Sequence, residues 1–183
     1  MKQHLLSIST LSLILVGCGG PTLSKDAGKY LNANTHYKVN TVNVHFQKSL
    51  LNFDKEQSLY PNENELATLL KSDIEKHLRE KGLACNNQSH CLNINVNMNY
   101  LRHFNLNSNT VGAPTYDRTI KLGDGKKIYY SDTQSNMTVT HGAFGDLAVF
   151  TKMGNKKPNL KDEEKDIDLI AEEIVDTIQK STK

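Results

Sequence analysis

From 92 to 100 the sequence reads LNINVNMNY, in which Leu92, Ile94, Val96, Met98 and Tyr100 alternate with Asn93, Asn95, Asn97 and Asn99. Successive side chains of an extended strand point to opposite faces, so this stretch has one apolar and one amide face. A helix would scatter the asparagines round its circumference. The chain therefore contains a sheet with one face to cover, and the rest of the sequence must supply the cover. Beyond Tyr100 the alternation changes phase at Leu101 and runs on through His103 and Phe104, which reads as a bulge or a strand end.

The cover is found in two amphipathic helices. Leu66, Leu69, Leu70, Ile74 and Leu78 recur three and four residues apart, from a start near Asn62 to a stop at Gly82. Ile167, Ile170, Ala171, Ile174 and Ile178 form a second stripe between Asp162 and about Lys180. That helix begins acidic and ends with Lys180, the sense that complements the helix dipole. Further strands are predicted in YKVNTVNVHFQK (37–48), in YDRTIKL, in KKIYYSD and in SNMTVTHGAFGDLAVF. A hairpin turn falls at Asp124-Gly125, and residues 105–115 read as a loop. The order strand, helix, several strands, helix predicts an α+β fold. We expect a two-layer sandwich, with a mostly antiparallel sheet of four to six strands under two helices on one face.

The chain opens with Lys2, then an uncharged, mostly apolar run over 5–16, then Gly17 and Cys18. This run is shorter than the roughly 20 residues a membrane-spanning helix needs. A charged start, a short apolar middle and a small residue at the end are the parts of a secretory signal. Leu15-Val16-Gly17-Cys18 resembles the lipobox of bacterial lipoproteins at all four positions. The resemblance implies cleavage before Cys18, a diacylglyceryl group on its sulfur and acylation of the new N-terminus. Membrane attachment through Cys18 follows, since two or more acyl chains anchor a protein stably. Gly19 and Gly20, with no Asp after the cysteine, imply the outer membrane by the same likeness. The organisation expected is a signal peptide at 1–17, a lipidated cysteine and flexible tether at 18–36, and one α+β periplasmic domain at 37–183. The tether's mean reach would be roughly 20–25 Å, with Leu23, Tyr30 and Leu31 as the residues able to dock.

Removal of 1–17 leaves 166 residues, with 21 Lys and Arg against 20 Asp and Glu. Such balance offers no basic stripe, and no nucleic-acid partner is expected. With Cys18 set aside, Cys85 and Cys91 remain in CNNQSHC. A disulfide is the preferred reading in an oxidising compartment, stabilising by about 2.4 kcal/mol for a seven-residue loop. Metal binding with His90 is the rival, short of the four ligands a structural zinc needs.

No Gly-rich phosphate loop, HExxH, CxxC or GxSxG occurs, so no enzyme, catalytic residue, metal or cofactor is predicted. His77 reads as a helix-flank residue, and the acidic run DEEKDID as a solvated helix start. His141 and Asp146 invite an acid–base pair, though Gly142 and Gly145 between them explain the stretch as a strand bend. The asparagine row at 93, 95, 97 and 99 reads as a solvated sheet face, with an extended-ligand surface as the alternative. Tyr129 and Tyr130 complete that candidate surface, and with Tyr116 they offer a groove lining, though a hairpin uses such aromatics for cross-strand packing as a matter of course.

In element order over about 145 residues the chain is similar to LptE-like and transport-auxiliary envelope lipoproteins. Related α/β designs occur in the TolB N-terminal domain and in CsgG-like assembly lipoproteins. The resemblance implies a non-enzymatic accessory or assembly subunit that binds another envelope protein and faces the periplasm. A ligand- or glycan-binding or inhibitor module is the alternative, followed by an envelope hydrolase.

Overall fold

The computed structural model describes residues 20–48, 61–86, 91–105, 110–139 and 160–182. Seven strands and three helices follow in chain order: β1 (Thr22–Leu23), α1 (Ala27–Tyr30), β2 (His36–Lys48), α2 (Glu63–Glu80), β3 (Cys91–Arg102), β4 (Phe104–Asn105), β5 (Thr110–Val111), β6 (Thr115–Gly123), β7 (Ile128–Thr138) and α3 (Leu160–Lys180). Five strands make one sheet in the order β1-β7-β6-β3-β2, and β4 pairs with β5 alone. All neighbours in the large sheet are antiparallel except β2 and β3. Those two run parallel because α2 carries the chain back between them, as a parallel pair requires. The expected α+β architecture is therefore present.

α2 is built by its ends as much as by its stripe. The Asn62 side chain accepts from the amides of Asn64 and Glu65 while Glu65 reaches back to the Asn62 amide, a capping box. At the other end Leu83 N–H bonds Leu78 C=O and Gly82 N–H bonds Arg79 C=O, with Gly82 at φ +67. This Schellman closure places a left-handed residue where glycine alone is free of strain. Leu66, Leu70, Ile74 and Leu78 are fully buried, each worth roughly 1.5–3 kcal/mol of transfer free energy. On α3, Ile167, Ile170, Ala171, Ile174, Val175 and Ile178 do the same. They meet Leu92, Ile94, Val96 and Met98 of β3 and Ile120 and Leu122 of β6 in one core.

Two sequence readings are corrected. β3 keeps its alternation without a break through Arg102, which is buried at an inward position while Leu101 is half-exposed. An arginine facing the core looked like a change of phase. The stretch read as a tether is docked from Thr22 onward. β1 pairs with β7, Ala27 and Leu31 are buried, and Tyr30 stacks on Tyr129 with ring centroids 4.1 Å apart. Two apolar residues four apart and one aromatic are enough to seat a single helical turn. Cys18, His90, His141 and Asp146 lie outside the described residues.

Candidate functional site

The helix-covered face of the sheet holds two arginines, and each is met by carboxylates. Arg102 Nη2 donates to Glu163 Oε2 and Asp166 Oδ2, both at 2.6 Å, and to the Tyr100 hydroxyl at 2.8 Å. The Tyr100 hydroxyl in turn donates to Glu163 Oε1, and Arg102 Nη1 donates to the Gly112 carbonyl at 3.1 Å. Glu163 and Asp166 stand three apart on α3 and so share a helix face. Burial raises the Glu163 carboxyl above its ordinary range, with Arg102 and Tyr100 opposing the shift. Burial likewise pushes the Tyr100 hydroxyl well up. The acidic run 162–168 is thus not simply solvated, since Glu163 and Asp166 enter the core as partners of Arg102.

Arg118 of β6 is the second centre, its side chain wholly buried. Nε and Nη2 grip Glu173 of α3 at 2.8 and 2.6 Å, and Nη1 holds Asp132 of β7 at 2.8 Å. Thr177 accepts from Nη2 at 3.1 Å. Burial alone would discourage the guanidinium charge, and the bonds to Glu173 and Asp132 outweigh it. Both centres pair a guanidinium group with carboxylates of α3, and what they do is fix α3 against the sheet.

The helices are also tied to each other. His77, read as a flank residue, is buried between Glu80 (Nδ1 to Oε2, 3.1 Å) and Asp168 of α3 (Nε2 to Oδ1, 2.9 Å). Lys76 donates to the same Asp168 oxygen at 2.9 Å. Burial pushes Asp168 up, but the Lys76 and His77 bonds prevail and hold its carboxyl below the usual range.

The opposite face of the sheet is where polar groups stay open. Asn93 and Asn95 are half-buried, and Asn97 and Asn99 are exposed. Asn43 Nδ2 donates to Asn97 Oδ1 at 2.8 Å across the parallel β2–β3 pair. Asn40 is the extra residue of a bulge in β2, which lets its amide reach Asn95 Oδ1 at 2.8 Å. Beyond them Thr119 and Thr133 share a hydroxyl bond of 3.1 Å between β6 and β7. No described helix covers this layer, which is a solvated sheet face of paired amides and hydroxyls.

Tyr129 and Tyr130 do not belong to it. Both are buried, at 3% and 5% exposure. Tyr129 sits at a register shift between Ile128 and Tyr130, stacks on Tyr30 and donates to Asp124 Oδ2 at 2.7 Å. The docked N-terminal segment occupies the surface a ligand would need. Tyr116 is buried too, and with Met137, Val139 and Leu169 it lines an open groove of about 280 Å³ with Glu172 and Asp176 at its rim. Burial, then the Glu173 charge, pushes the Tyr116 hydroxyl up to about 12.

Cys85 and Cys91 form a disulfide. Among the described residues no set of three or more His, Cys, Asp or Glu side chains is gathered to hold a metal ion. Nor is any described helix long and apolar enough to cross a membrane. No protein-family model and no curated protein matches the chain significantly.

Proposed function

We propose that this chain is a lipid-anchored envelope lipoprotein of the outer membrane, a non-enzymatic accessory or assembly subunit that binds another envelope protein on the periplasmic side. The observation that carries the reading is the Cys85–Cys91 disulfide. It consumes two of three cysteines, as an oxidising compartment favours, and leaves Cys18 alone directly behind Leu15-Val16-Gly17. The paired amides of β2 and β3 give a polar, uncovered face for a protein partner of matching hydrogen-bonding character.

Growth on labelled palmitate tests the anchor: label should enter the wild-type protein and be lost in Cys18→Ser. A photo-crosslinker at Asn97 or Thr119 tests the face. One reproducible envelope protein is the expected product, and its absence from crosslinked envelopes would remove the partner from the proposal.

A second reading, a surface that takes an extended polar ligand such as a glycan, is favoured by the same amides, which offer donors and acceptors along the strand direction. Titration with peptidoglycan fragments separates the two, because only a ligand face would shift the Asn97 and Asn99 side-chain amide resonances.

A further inference from the structure

We infer that the corner of the sheet formed by β1 and the start of β7 rests on the bilayer, so that the domain lies flush with the membrane rather than hanging from it. The inference depends on lipidation of Cys18. Only three residues separate Cys18 from Thr22, a span of at most about 14 Å. From Thr22 the chain is fixed to the domain. Thr22 and Leu23 pair with Ser131 and Tyr130, and the Ser24 amide donates to the Tyr129 carbonyl at 2.9 Å. Lys127 pairs with Asp26, and the Tyr30 ring lies on Tyr129. An anchor this short fixes which part of the surface meets the lipid.

That part has the composition for it. Among the described residues the large apolar side chains left exposed are Leu23 at 63% and Ile128 at 50%. Leu23 pairs with Tyr130 and Ile128 lies just before the register shift at Tyr129, so the two flank one end of one sheet edge from opposite faces. Lys25, Lys29, Lys126 and Lys127 are exposed around them, against Asp26 and Asp124. The two segments thus carry a net positive charge toward an anionic headgroup layer. Exposed apolar side chains and lysines in the same two segments, next to an acyl anchor, are the paired signals of an interfacial surface. The occupant we assign is a bilayer containing anionic phospholipid.

The chain has no tryptophan, which makes the test direct. Leu23→Trp and Ile128→Trp would be made in the full lipidated chain, with Gln47→Trp on β2, at the far edge of the sheet, as reference. Each is reconstituted into phosphatidylethanolamine–phosphatidylglycerol vesicles bearing brominated acyl chains. The two corner tryptophans should shift to the blue and lose most of their emission, and the reference should do neither. If the protein floats with the vesicles but all three tryptophans stay solvent-like, the resting corner is overturned while the anchor stands. If the protein carries no lipid and stays in the supernatant, the lipoprotein reading fails and takes this one with it. A blue shift that needs no bilayer and grows with protein concentration would give the corner to a second copy, overturning the assignment to lipid.

Discussion

The two faces of this sheet both carry polar side chains, and they use them in opposite ways. On the open face Asn95 and Asn97 bond neutral amides of β2 and remain within reach of water. On the covered face Arg102, Arg118 and Asp132 are sealed under α3 and held in ion pairs. Polarity by itself therefore does not mark a functional surface here. What matters is whether the group is already committed to a buried ion pair, and Arg102 and Arg118 on the covered face are. The charges there instead specify how α3 sits. The apolar residues of α3 tolerate a slide along the sheet better than Glu163, Asp166 and Glu173 do, because any slide strands a buried charge.

The largest expected effect follows from removing Arg118. Arg118→Leu leaves Asp132 buried with no cation, and Asp132 Oδ1 already lacks a hydrogen-bond partner among the described residues. Urea unfolding should show a loss of about 3–5 kcal/mol. Adding Asp132→Leu should recover most of it, since Glu173 reaches solvent and a well-packed apolar pair replaces a buried ion pair with little loss. A double variant as unstable as the single one would mean that the arginine acts by filling space, and the contrast between the faces would lose its electrostatic basis.

Arg102→Met should come next, at about 3 kcal/mol near neutral pH, and with a pH signature of its own. Glu163 already sits above the range of an unfolded Glu, about 4.3, because of burial. Without Arg102 it rises further. A carboxyl with a raised folded pKa stabilises the native state below the unfolded value, and that contribution is lost as pH climbs through the folded one. The gap between variant and wild type should therefore be small near pH 4 and widen toward pH 7. A gap that is flat with pH would argue against a stranded carboxylate.

These centres explain which parts of the molecule could be read from the sequence. The asparagine row and both helix stripes are local patterns, complete within one element, and they fold as the spacing requires. Arg102 was misleading because an inward arginine breaks an apolar alternation, and its partners lie 61 and 64 residues away. Nothing near Arg102 announces them. The acidic run gave half a signal: Glu163 and Asp166 precede Ile167 and Ile170 in step with the buried stripe, so the stripe extends into the acids. Tyr129 and Tyr130 fit either an open surface or cross-strand packing, and the hairpin sequence alone does not decide between them. The segment that covers Tyr129 comes from about a hundred residues earlier, as the separation of Lys127 from Asp26 records. Cross-chain partners of this kind are set by tertiary packing, to which short-range periodicity is blind.

On the open face the expected effect is small. Asn97→Ala breaks one exposed amide bond and should change unfolding free energy by no more than about 0.5 kcal/mol. Should it instead lose as much as Arg102→Met, the amide layer would be a structural element, and its availability to a partner would have to be reconsidered.

Asp124, in the β6–β7 turn, combines features of both faces. It is exposed like the asparagines, yet bonded at both oxygens like the buried Glu163. The Tyr129 hydroxyl and the Lys127 and Lys126 amides donate to it, which lowers its carboxyl to about 2. A depressed folded pKa contributes stability above the unfolded value of about 3.9 and loses it as pH falls through the folded one. The turn should accordingly hold at pH 4 and loosen as pH falls toward 2, with the amide resonances of Lys126 and Lys127 moving together. In Asp124→Asn, which still accepts hydrogen bonds but does not titrate there, that movement should vanish. A midpoint near 4 in the wild type would show that the three donors do not act on the carboxylate. The stack of Tyr30 on Tyr129 would then have to hold the N-terminal segment without help from the turn.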